Sequence, residues 1–296
     1  MRISLILLLL IIVACGNKQK TECNYITDYY PNTANAEIEF YLGNYQKAYD
    51  YYQKAFKKCD AIKLGFLHDT DKFAKICAEL GKDDLAIDYI KKTLDKGGTL
   101  NEFQDDEVFN DIFQSERGKK LIADYDTRRE KYIKSLNMAL RAELQAMIEI
   151  DQRLVGQQEK RDSVFKVNDK RLVEIFEEFG YPNEQVVGNY AIDFTSPDPT
   201  ILLLHTDDSI RINYFIPKVK EFIKKGQCTP YVLGTMYDNL ALFNNEPQTH
   251  GTYKNQNGGY ANMISDISKV NENRAEIGLP SLNMTKEIDS LKRQQY

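Results

Sequence analysis

The sequence predicts a mostly α-helical protein: helical hairpins in tandem, then a second α-helical domain with at most a small β-hairpin. Three observations carry this. Apolar residues recur at three- and four-residue intervals in several stretches. A pattern of Ala, Gly and Tyr positions repeats in the first third of the chain. Asn, Asp, Ser or Thr precede the periodic stretches and Gly or Pro follow them, as helix caps and stops do. The 296 residues suffice for two domains. Lys and Arg number 39 against 44 Asp and Glu, so no basic excess points to nucleic acid. A hydrophobic fraction of 42% with 28% charged residues is that of a folded body.

The chain opens with Arg2 and an unbroken apolar run from Leu5 to Val13. That run is too short for a membrane span, which needs about 20 apolar residues, and residues 1–14 read as a signal peptide. Its end, Ile12-Val13-Ala14-Cys15, resembles the bacterial lipoprotein box. The resemblance implies a diacylglyceryl group on the Cys15 thiol, cleavage before Cys15, and acylation of the new amine, with palmitate for example. The mature protein would then be held, extracytoplasmic, on a bacterial membrane, since each buried methylene adds about 0.8 kcal/mol. An ordinary secretory signal with an incidental Cys is the alternative. Residues 15–30 are expected to be the lipidated Cys and a polar tether. Four further cysteines, Cys23, Cys59, Cys77 and Cys228, allow three complete pairings that sequence does not rank.

Residues 31–126 form the repeat domain. Ala36, Gly43, Tyr45, Ala48, Tyr52 and Ala55 have the spacing of a tetratricopeptide repeat, and Ala74, Leu80-Gly81, Ala86 and Ile90 fall at matching offsets. Small Ala side chains let paired helices approach, and Gly43 and Gly81 relieve the turns. Two units are fewer than the three or so that usually stand alone, so the apolar segment from Phe103 to Tyr125 should close the stack. The ring cluster Tyr41, Tyr45, Tyr49, Tyr51 and Tyr52 is either repeat core or a binding wall for a peptide or glycan. His68 reads as a surface residue between the units.

Residues 127–296 form the second domain. A long amphipathic helix is expected from Thr127, with Leu136, Leu140, Leu144, Met147 and Leu154 within about 80° of one another. Asp151 lies inside that stripe, where a carboxylate must be paired, with an Arg from later in the chain or with a catalytic or ligand partner. Glu159 to Asp162 reads as a solvated end or turn, and Asn168 as the N-cap of a helix stopped by Gly180 and Pro182. A short apolar helix over Ile201 to Leu204 ends at His205, whose half-buried ring suits a general base or a ligand contact, or a satisfied structural role. Asp208-Ser209 caps a helix that Pro217 should kink. Thr229-Pro230 starts a helix carrying Asp238. The loop Glu246 to Tyr253 brings Gln248 and His250, and its continuation across Asn257-Gly258-Gly259 is the expected β-hairpin. Asp266 caps a helix bearing Arg274 and stopped at Gly278, and a last short helix follows from Thr285.

The order Met147, Asp151-Gln152, Asn168, Gly180-x-Pro182, Val187-Gly188, His205, Asp238, Pro247-Gln248, Gly251-Thr252, Asn271, Arg274 and Gly278-Leu279 resembles an uncharacterised bacterial domain-of-unknown-function family over residues 137–291. Members are often lipoproteins and some carry tetratricopeptide-like repeats; no reaction comes with the resemblance. The chain departs from it at Leu204 in place of Gln, at Asn239 in place of Arg, and at His250 and Tyr253, where the family has Tyr and Gln.

Signatures of nucleotide, nucleophile-elbow and zincin chemistry are missing. A polar pocket is expected to draw on Asp151, His205, Asp238, Gln248 and Arg274 for a small polar ligand, with no cofactor and no metal; a metal held by His205, His250 and an Asp has no spacing to support it. The expected function is a membrane-anchored envelope lipoprotein whose repeat domain binds a protein or peptide partner. The alternatives are a hydrolase-like enzyme with His205 as general base and Asp151 as its partner, and a purely structural interaction protein.

Overall fold

The computed structural model describes residues 23–154 and 157–294. The signal segment, Cys15 and tether residues 16–22 lie outside the described residues. The chain is mostly α-helical, and among the described residues no helix is long and apolar enough to cross a membrane.

Helices α1 (Tyr30–Tyr41) and α2 (Tyr45–Phe56) form one hairpin, and α3 (Asp69–Glu79) and α4 (Asp83–Asp95) the next. Their turns sit at Gly43 and Gly81, with φ of 75° and 66°, a region that suits glycine. Ala36, Ala48, Ala55, Ala74 and Ala86 are wholly buried, as close helix approach requires. Of the Tyr cluster, Tyr52 is buried and Tyr49 stacks on Phe73, so these rings serve as repeat core. The short helices α5 (Asn101–Gln104), α6 (Asn110–Gln114) and α7 (Glu116–Ala123) close the stack with Phe103, Phe109, Ile112, Phe113 and Leu121.

The small β-hairpin lies between the helical pairs, not in the second domain. Strands β1 (Lys63–Leu64) and β2 (Leu67–His68) pair antiparallel around Gly65-Phe66. Across Asn257–Gly259 only isolated bridges form, Gln248 with Met263 and Lys254 with Tyr260. The reason is that side chains of Asp238 and Gln248 take the backbone groups that a ladder would use there.

The single helix expected from Thr127 is two, α8 (Tyr125–Ser135) and α9 (Met138–Arg153), because Leu136 is extended and Asn137 accepts the Leu140 N–H at 3.0 Å as an N-cap. Helix α10 (Gln158–Phe179) runs unbroken through Glu159–Asp162 and Asn168, so neither is a turn or cap. Then come α11 (Glu184–Val187), α12 (Thr200–Leu204), α13 (Asp208–Ile210), a wide π-type turn at Arg211–Phe215 just ahead of Pro217, α14 (Ile216–Lys224), α15 (Pro230–Phe243), α16 (Ile267–Ile277) and α17 (Leu282–Arg293).

One core spans the expected domain boundary. Ile26, Tyr29 and Tyr30 are buried in the same cluster as Ala55, Ile62, Leu144, Phe176, Leu203, Phe215 and Leu233. Residues 24–30 are therefore a folded element and not tether: Asn24 caps a wide turn over Tyr25–Tyr29 that leads into α1. At the other end α17 packs on α1, with Lys292 3.0 Å from Glu37. Cys23 and Cys59 form a disulfide, while Cys77 and Cys228 are free and buried. Burial pushes the Cys77 thiol up to about 12, so it stays protonated and inert.

Candidate functional site

Asp151 sits in the last turn of α9 with no exposed side-chain surface, on the apolar face that the sequence indicated. Its partner is not an arginine. Helix α12 is anchored by buried Leu202 and Leu203 and ends at His205, whose Nδ1 lies 3.0 and 2.9 Å from the two Asp151 oxygens. Gln152 donates to the same carboxylate at 2.7 Å. The imidazole is further held by stacking on Phe165, with centroids 5.1 Å apart. Arg211, buried behind it, donates to the carbonyls of Leu204 and Thr206 on either side of His205, at 2.7 and 2.6 Å. A carboxylate accepting at Nδ1 requires the proton there, which leaves Nε2 as the basic nitrogen. Among the described residues no group hydrogen-bonds that Nε2, and 18% of the side chain is exposed. A shallow groove of about 520 Å³ adjoins it in sequence, lined by Lys166, Asp169, Lys170, Val173, Glu174, Asp207 and Ile210.

The other three expected pocket residues do not join this pair. Asp238 accepts the N–H groups of Thr249, His250 and Thr252 at 2.7 to 2.8 Å, and the Thr252 hydroxyl at 2.9 Å. Burial works to raise its pKa, but the His250 ring 3.8 Å away and the hydrogen bonds from these backbone groups hold it below its ordinary value. Gln248 uses its amide as a peptide group, donating to the carbonyls of Tyr253 and Ala261 and accepting from the Tyr253 N–H. Arg274 donates to the carbonyls of Pro280 and His250 and to Thr285 Oγ1. His250 is buried, stacked on Tyr237 at 4.9 Å. The single five-residue pocket is thus corrected to a histidine–aspartate pair and a separate loop frame, because the loop's own N–H and C=O groups consume the polar atoms of the second set. Arg211 donates to Asn239, and Asn239 donates to Tyr253 OH at 3.2 Å, linking frame and pair.

Comparison with known protein families, curated proteins and solved structures gives no match.

Sequence reasoning missed Arg211, Phe165 and a cluster in the first half. His68, Asp71 and Glu102 are the one grouping of three potential metal ligands among the described residues. Lys63 Nζ stands among them, 2.7 Å from Asp71, 2.8 Å from Glu102 and 3.1 Å from His68 Nδ1. Its ammonium fills the place of a cation, and the two carboxylates keep it protonated against the effect of burial. His68 is thus half-exposed, as a surface position predicts, with its Nδ1 engaged by Asp71 and Lys63.

Proposed function

We propose that this chain is a lipid-anchored envelope protein whose second half holds a small polar ligand at the Asp151–His205 pair, the ligand donating a hydrogen bond to His205 Nε2. One observation carries the ligand site: a histidine fixed on three sides, by Asp151, Phe165 and the Arg211-braced backbone, with its basic nitrogen turned to an unbonded position. The Ile12-Val13-Ala14-Cys15 motif supports the anchor, and the Cys23–Cys59 bridge supports an oxidising, extracytoplasmic address. The stacked hairpins support a protein or peptide partner, through the resemblance to tetratricopeptide repeats.

A second reading keeps the same pair as chemistry. With Asp151 orienting it, His205 is a general base able to take a proton from water or a substrate hydroxyl, as hydrolysis of envelope material would need. Both readings are tested together by adding cell-wall saccharides and short peptides to the ¹⁵N-histidine-labelled protein. The expected result is a shift of the His205 Nε2 resonance by at least one compound, lost in Asp151→Asn; release of product with time would favour the base. A shift of His250 alone, or of neither ring across the whole panel, would sink the site.

A further inference from the structure

The connection between α11 and α12 has no regular structure, yet one buried side chain ties it down at five residues. Arg141, 1% exposed, donates to the carbonyls of Val187, Gly188, Asn189 and Thr195, to the Thr195 hydroxyl, and to both oxygens of Asp193. What this buried guanidinium fixes is a pair of aromatic rings in water. Tyr190 is 59% and Phe194 78% exposed, edge to face with centroids 5.8 Å apart. Phe194 sits at φ 61°, in the left-handed region that a residue with a Cβ adopts only under constraint. Packing explains neither ring, since both point out of the body.

A third exposed ring lies on a neighbouring loop. Phe66, at the tip of β1–β2, is 91% exposed. Gly98 packs against the Lys63 side chain at the start of β1, and Asn189 donates to Gly97 O at 2.7 Å, so both loops attach to the same Gly97-Gly98 turn. The described chain begins at this same end. Cys23 is bonded to Cys59, four residues before β1; Tyr25 OH donates to Asp60 O at 2.9 Å; and Asn183, just before α11, donates to Gln227 O next to Gly226, against which the Tyr25 ring packs. Seven residues lie between Cys15 and Cys23, eight Cα–Cα steps in all. Fully extended they reach at most about 28 Å, so a lipid on Cys15 keeps this end of the body close to the bilayer surface.

Resting on the lipid-anchor reading above, we infer that Phe66, Tyr190 and Phe194 form a membrane-docking surface, seated in the headgroup region of the bilayer that holds Cys15. Amphipathic and apolar rings favour that interface, and rings on rigid loops enter it with little ordering cost. The anchor supplies the attachment and the rings set the orientation, which leaves the rest of the molecule facing away from the lipid.

The chain contains no Trp, so single substitutions report cleanly. Full-length lipidated Phe66→Trp and Phe194→Trp proteins, with Phe243→Trp as control, are reconstituted on phosphatidylcholine–phosphatidylglycerol vesicles carrying brominated acyl chains. Phe243 is 73% exposed at the end of α15, about 20 Å along the helix from Pro230, which lies beside Gly278 and Tyr30 near the chain's described start. Expected is flotation of all three, at least about twofold quenching at positions 66 and 194, and none at 243. Flotation without quenching at 66 and 194, or equal quenching at all three, overturns the docking surface while leaving the anchor. Failure to float overturns the anchor reading and the docking with it. Burial of the rings that grows with protein concentration on unbrominated and brominated vesicles alike assigns the surface to a second copy instead.

Discussion

Asp151 and Asp238 are both fully buried carboxylates, yet the structure gives them opposite uses. Asp238, on α15, is saturated by donors of the Thr249–Thr252 loop, whereas Asp151 is directed at one imidazole. That Asp151 had to be paired was legible from its place on an apolar stripe. Its partner was not, since His205 lies 54 residues away and nothing local distinguishes an imidazole from an arginine as the match. Asp238, Gln248 and Arg274 carry the side chains of a binding site, and only the loop's backbone, invisible as such in the sequence, shows where those groups are used. Asn239 and Tyr253, 14 residues apart, meet through a 3.2 Å hydrogen bond that ties α15 to the loop. Asp238 yields a pH prediction. Its folded pKa is depressed, so its contribution is complete above the ordinary carboxylate pKa of about 4 and is lost as pH falls through the lower folded value. Asp238→Asn should lose roughly 2–4 kcal/mol at pH 7 and show a shallower decline between pH 5 and 2 than the parent in urea unfolding. Parallel declines with pH would contradict the loop-frame role.

At the scale of elements, the helical hairpins were legible because Gly43 and Gly81 mark turns and alanines recur at the contact positions. The break between α8 and α9 was not, because the leucine stripe continues across it and only the Asn137 cap betrays the end of one helix and the start of the next. Asn168 misled in the reverse sense: a residue typical of caps stands inside a helix of 22 residues, buried, with no hydrogen-bond partner found for its Nδ2. The Cys23–Cys59 bridge joins the first turn to the segment after α2 across 36 residues of separation. Cross-linking a loop of that length restricts the unfolded chain, so Cys23→Ala/Cys59→Ala should lose roughly 3–4 kcal/mol in denaturant titration. A loss below about 1 kcal/mol would mean that the buried Ile26, Tyr29 and Tyr30 alone hold this segment in place.

At the scale of the molecule, apolar periodicity says which residues are buried but not against what. The core therefore crosses the boundary expected near residue 126, and the segment from Asn24 to Tyr30, polar at its start, belongs to the second half's core as much as to the first hairpin. This continuity fixes the geometry of the whole: α17 returns to α1, the loops bearing Phe66 and Phe194 both attach to the Gly97-Gly98 turn, and α9, α10 and α12 hold the histidine pair. The central claim is that Asp151 locks His205 with its proton on Nδ1 and its basic Nε2 available. Long-range ¹H–¹⁵N spectra of the three histidines, His68, His205 and His250, measure this directly. For the neutral ring the account predicts a protonated Nδ1 and an unprotonated Nε2 at His205, reversed or averaged in Asp151→Asn. A proton on Nε2 with Nδ1 bare in the parent protein would contradict it.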